Sequence, residues 1–202
     1  FKAYLVGEPL INTNGDTEIQ VGEATAFNGA IYCQWMNISD LTGIEHFTAL
    51  DHLDCGDNQL TSLDVSNNTA LTTLYCGFNS LVSIDLSNNI SITSFNCEFN
   101  PLTSLDVSQN TALTYLNCGA NPITFLNLNG AISLQTLYCY ANDQLNSLDL
   151  SNNTALTYLD CQSNQLTSLD VSANTALTYL KCGGNPLTSL DVSQNTALTY
   201  LN

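Results

Sequence analysis

The chain has 202 residues, 44% of them apolar, with 18 acidic side chains against two basic ones, Lys2 and Lys181, for a net charge of −16. The charge excludes nucleic acid and anionic lipid surfaces as partners, because both are held through Lys and Arg; the apolar share excludes a disordered chain. No run of about 18 apolar residues is present to span a membrane.

The opening "FKAYLV" predicts a short helix, and no basic start followed by an apolar core reads as a signal peptide. The segment "NTNGDTEIQVGE", Asn12 to Glu23, resembles the EF-hand calcium loop. Asn12, Asn14 and Asp16 match its positions one, three and five, and Glu18 matches the backbone carbonyl ligand at seven. Ile19 matches the apolar eighth residue and Glu23 the bidentate twelfth. Asn12 stands where Asp is usual and Thr17 where glycine is, so the resemblance implies Ca2+ at about 10⁻⁴ to 10⁻³ M, with the ion locking the cap. The alternative is a polar turn between helix and first strand. Residues 1–29 therefore read as an N-terminal cap, needed to shield the open first edge of a repeat array.

From Ala30 onward the chain is periodic. Cysteines stand at 33, 55, 76, 97, 118, 139, 161 and 182, a step of 21 or 22 residues each time. Aligned on them, the units read L-x-x-L-x-C-x-x-N-x-L-x-x-L-D-V-S-x-N-T-A, with full copies starting at Leu71, Ile92, Leu113, Leu134, Leu156 and Leu177. In each copy Leu and Cys alternate with polar or aromatic residues, which places Leu116 and Cys118 on one face of a strand and Tyr115 and Asn117 on the other. Copies stacked at about 4.8 Å form a parallel ladder. The second half, "LTSLDVS", also alternates, and 21 residues leave little room for a helix, so extended or short 3₁₀ segments are expected there. The final copy, from Leu198, stops early, and the chain reads as a trimmed piece of something longer.

The pattern resembles the leucine-rich repeat over residues 44–202, with Cys in place of the third Leu of its L-x-x-L-x-L-x-x-N-x-L core. Cysteine in the ladder is similar to bacterial surface proteins of the internalin type, and the wording "LDVSxNTALTYL" to repeat proteins exported by a type IX route. The resemblance implies a mainly β, right-handed leucine-rich-repeat solenoid over residues 30–202, with a parallel β ladder, little helix and a small helical cap. It also implies an extracellular or bacterial cell-surface location and a role in adhesion.

Columns that stay constant from copy to copy read as framework. The cysteines are small inward residues, expected reduced and inert. The asparagines three residues later, from Asn58 to Asn185, satisfy turn backbone. The aspartates Asp64, Asp85, Asp106, Asp149, Asp170 and Asp191, interrupted by Asn127, read as Asx-type turns, with a row of cation sites as the sharper reading.

The face opposite the leucines varies, and in leucine-rich repeats it is the concave, partner-binding one. It carries the candidate site: Tyr75, Phe78, Phe99, Tyr115, Tyr138, Tyr140, Tyr158, Tyr179 and Tyr200. Tyrosine offers a wide, stiff contact area with a polar tip, suited to sugars and to proteins, whereas tyrosines stacked only on one another would serve stability. No phosphate loop, arginine or paired acid and base in a pocket points to an enzyme. The expected function is a binding or adhesion module for a protein or polysaccharide partner. The competing reading is a spacer or scaffold segment with end-to-end self-association.

Overall fold

The computed structural model describes residues 1–202. Two helices, α1 (Lys2–Gly7) and α2 (Val21–Ala26), precede eleven short strands. These are β1 (Ala30–Tyr32), β2 (His52–Asp54), β3 (Thr73–Tyr75), β4 (Ser94–Asn96), β5 (Ser104–Asp106), β6 (Tyr115–Asn117), β7 (Phe125–Asn127), β8 (Thr136–Tyr138), β9 (Tyr158–Asp160), β10 (Tyr179–Lys181) and β11 (Tyr200–Leu201). All strands but β5 and β7 form one nine-stranded sheet in which every pairing is parallel, and β5 pairs with β7 in a second sheet.

Register tracks the repeat: Leu74 faces Phe95, and Leu116 faces Leu137. Each coil is a loop of backbone wound once around a file of leucines. Leu71, Leu74, Cys76 and Leu81 of one coil are fully buried, as are their counterparts Ile92, Phe95, Cys97 and Leu102 in the next. One coil alone leaves those side chains wet; stacking removes them from water at about 1.5–3 kcal/mol for each leucine.

The cap closes the first coil. Leu5, Ile11 and Ala24 join the same core, Phe27 meets Phe47 edge-on at 6.1 Å, and the Tyr4 hydroxyl accepts the Tyr32 N–H of the first strand at 3.2 Å. An edge amide that would pair with another chain is thereby occupied.

Beyond β5 and β7, the second halves of the coils are extended segments and turns. The expected 3₁₀ turns reduce to one, Ile44–His46. The cause is local: each column aspartate accepts the backbone N–H two residues on, as Asp85 does from Ser87 (2.9 Å) and Asp191 from Ser193 (2.8 Å), which holds an Asx turn in place of a helical one.

Candidate functional site

The framework columns set the positions of everything the outer faces display. All eight cysteines are free and buried. Burial pushes the thiols of Cys33, Cys76 and Cys118 up to about 12, far from the range where a thiolate forms and reacts.

The asparagine after each cysteine ties at least three backbone groups at once. Asn100 donates from Nδ2 to the carbonyls of Cys76 and Cys97, both at 3.1 Å, while its Oδ1 accepts the Leu81 N–H at 2.9 Å. A second ladder, which the repeat displays but whose role its spacing does not reveal, runs through the "SxN" asparagines. Asn110 is buried and donates to the carbonyls of Leu86 (3.1 Å) and Asn89 (3.0 Å) in the preceding coil, and Asn89, Asn174 and Asn195 repeat the pattern. A thread of threonine hydroxyls completes the frame, Thr93 donating to Thr72 O and Thr114 to Thr93 O.

On this frame the nine candidate residues fall into separate groups. Tyr115, Tyr138, Tyr158, Tyr179 and Tyr200 form one continuous run along the sheet, with centroid separations of 5.9, 4.8, 4.4 and 4.2 Å. Tyr138 comes from a different column and fills the gap that Thr136 leaves. The last two contacts are nearly parallel, at 7° and 5°, so the ring faces cover one another. Beside the run Lys181 lies 3.6 Å from Asp160 and 5.7 Å from the centre of the Tyr179 ring. Burial raises the Asp160 carboxyl, an effect that Lys181 opposes.

Tyr75 lies apart, across the polar coil of Ser94 and Asn96: its hydroxyl shares a hydrogen bond with Ser94 (3.0 Å), and His52 meets its ring edge-on. Phe78 and Phe99 stack at 4.4 Å in the turn after the cysteine, nearly half exposed, with φ of 54° and 52°. That left-handed backbone suits glycine or asparagine and costs other residues about 1 kcal/mol each, so two exposed phenylalanines there are held against local preference. Tyr140 reaches back to Glu98 and belongs to neither group.

In the cap, the side-chain oxygens of Asn12, Asn14, Asp16 and Glu23 that the calcium reading requires have partners within the chain, Asn12 Oδ1 accepting the Gly15 N–H at 3.1 Å, whereas Glu18 enters that reading through its backbone carbonyl. Asn12 is buried, its Nδ2 donating to the carbonyls of Val6 and Asp16, both at 2.9 Å. Asn14 Oδ1 accepts the Asp16 N–H, and Asp16 Oδ1 the Glu18 N–H. Glu18 pairs with Lys2 at 2.6 Å. Glu23 Oε1 accepts the N–H groups of Thr13 and Asn14, while Oε2 caps α2 by accepting the Gln20 N–H. A calcium ion would have to exchange with these donors for the same carboxylate.

Solved structures share this architecture. The functional domain of InlJ from Listeria monocytogenes, which includes a cysteine ladder, superposes with a TM-score of 0.92 at 39% identity, covering 99% of this chain and 44% of that one. A leucine-rich-repeat protein of Leptospira interrogans gives 0.73 at 27% identity over 81% of this chain and 45% of its own. The chain thus spans under half the length of these two. Internalin C2 of L. monocytogenes shares the fold at a TM-score of 0.85 and 19% identity, over 98% of this chain and 92% of its own. No family model matches the chain, and no curated protein does. Its 21-residue coils, its continuous column of buried thiols and its identity to the InlJ domain together make it a member of the internalin-like, cysteine-ladder leucine-rich-repeat proteins.

Proposed function

We propose that the chain is an extracellular adhesion module whose exposed sheet face binds a protein partner. The observation that carries this reading is the tyrosine run from Tyr115 to Tyr200. Because Tyr158, Tyr179 and Tyr200 stack face on face, a sugar would find few open ring faces among them, whereas a protein would find a rigid strip of aromatic rings with the Lys181–Asp160 pair alongside. Rigid aromatic contact area with little side-chain entropy to lose is what centres of protein interfaces use. The strained Phe78–Phe99 pair extends the same display toward the N-terminal end. The family resemblance supports a cell-surface location, and no helix is long and apolar enough to cross a membrane.

The test is a panel of cell-surface proteins presented to the wild type and to the combined variant Tyr115→Ser, Tyr158→Ser, Tyr179→Ser. Selective loss of one interaction in the variant, with its circular dichroism spectrum unchanged, is the expected result. A partner bound equally well by both chains would move the site off this face.

A further inference from the structure

Columns that are constant in every other coil mark the framework, so a coil that breaks several at once marks a different task. On the side of the coils away from the main sheet, residues 123–133 make such a break. Phe125 stands where the flanking coils carry Ser104 and Ser147, Asn127 replaces the column aspartate, Asn129 replaces the serine after it, and Ala131 replaces the buried asparagine.

These departures gather at one place. At Gly130 an added Cβ would lie 1.7 Å from the Ser108 carbonyl oxygen, so the turn is drawn hard against the preceding coil and only glycine fits. Phe125 is 60% exposed, and, unlike the tyrosines, it has no other ring stacked on it. Beside it opens a groove of about 380 Å³ lined by Asn127, Asn129, Ser147, Asp149 and Asp170.

The polar groups are held still. Asn127 donates from Nδ2 to Asp106 (3.1 Å) and accepts the Asn129 N–H at Oδ1 (3.2 Å). Asp149 and Asp170 each accept one turn N–H, from Ser151 (3.0 Å) and Ser172 (2.9 Å), and a carboxylate has acceptor positions left after one such bond. No cationic side chain is near: Lys2 pairs with Glu18 in the cap, and Lys181 with Asp160 on the main sheet.

An open phenyl face, fixed amides and carboxylates without a cation repel phosphate and sulfate. A purely apolar ligand would cover these carboxylates and amides without pairing them. The same set matches a pyranose ring, whose C–H face packs on an aromatic ring and whose hydroxyls donate to carboxylates and accept from amides. We propose that the groove beside Phe125 binds a neutral saccharide, one or two units of an uncharged polysaccharide, on the side of the solenoid away from the tyrosine run. This site stands or falls independently of the protein-binding face.

The variant Phe125→Ser tests it cleanly, because serine is what the flanking coils carry at this position and the fold accepts it there. Saturation-transfer NMR and calorimetry on the full chain would use cellohexaose, maltohexaose, mannohexaose and fully N-acetylated chitohexaose, with heparin as a charged control. The expected result is binding of at least one neutral hexasaccharide, weakened about tenfold by Phe125→Ser, the scale of one lost aromatic contact. The triple tyrosine variant should bind it as the wild type does. Absence of binding to all four neutral probes, equal binding by Phe125→Ser, loss of binding in the tyrosine variant alone, or binding of heparin alone would each overturn the assignment.

Discussion

The Tyr140 hydroxyl donates to Glu98 Oε2 at 2.7 Å across two coils, and its ring crosses the intervening coil at Gly119, where an added Cβ would come within 2.6 Å of it. Glu98, Gly119 and Tyr140 occupy one column, the position after each cysteine, in three successive coils. The missing side chain in the middle is what lets the outer two meet. Burial, and then Glu98, raises the pKa of Tyr140, consistent with a phenol held in its donating form. Gly119→Ala should displace the ring and cost about 1–2 kcal/mol in urea unfolding, and Tyr140→Phe about 1 kcal/mol. The double variant should cost little more than Gly119→Ala alone; full additivity would show that the two residues act separately.

The thiol column predicts alkaline unfolding. Burial raises the folded-state pKa of all eight cysteines above the ordinary value, to about 12 for Cys33, Cys76 and Cys118. The unfolded chain therefore releases protons first. Stability is fully present below the unfolded thiol value and is lost as pH rises through the window above it, by about 1.4 kcal/mol per pH unit for each thiol. Circular dichroism should show cooperative unfolding a little above about pH 9, and Cys118→Ala should flatten the dependence while lowering neutral-pH stability by about 1–2 kcal/mol through the cavity left. A chain stable to about pH 12 would contradict buried thiols. Under native alkylation Cys182, 8% exposed where the other seven are fully covered, should react first.

The two asparagine ladders should differ in cost. Asn100→Ala leaves the Leu81 N–H without a partner, while the carbonyls of Cys76 and Cys97 keep the amides of Asn79 and Asn121. Asn110→Ala leaves no backbone group unpaired, because the carbonyls of Leu86 and Asn89 also accept the N–H groups of Asn89 and Ile92, and the Asn110 Oδ1 has no partner to lose. Buried backbone groups left unpaired cost about 1–3 kcal/mol each, so Asn100→Ala should lower Tm by more than Asn110→Ala. The reverse order would mean that the carbonyl-to-N–H half of the bridge contributes little.

Glu23 separates capping from calcium in the N-terminal loop. Because its carboxylate already takes the amides of Thr13, Asn14 and Gln20, Glu23→Gln should lower Tm with or without calcium, by the loss of about 1 kcal/mol that a helix cap contributes. Millimolar Ca2+ should leave the wild-type Tm in place. A calcium-dependent rise in the wild type that Glu23→Gln abolishes would establish the ion as the competing ligand.

Periodicity alone determined the solenoid, its parallel ladder, the inward cysteines, the bridging role of the Asn100 column and the Asx turns of the aspartates. Each of these is a local rule repeated at a fixed step, and stacking identical units converts spacing along the chain directly into position in space. The short helix at Lys2–Gly7 was legible for the same local reason. What only the tertiary structure decided lies between coils, where residues 20 to 42 apart in sequence meet. A column scheme separates Tyr138 from Tyr115 and Tyr158, yet the rings meet because Thr136 leaves room; it shows no link between Glu98 and Tyr140, which depends on the space above Gly119. The stack of Phe78 on Phe99, and the groove beside Phe125, likewise arise between coils. Such departures from the repeat were visible as letters, but their consequence depends on the free space around a side chain, which no single unit contains.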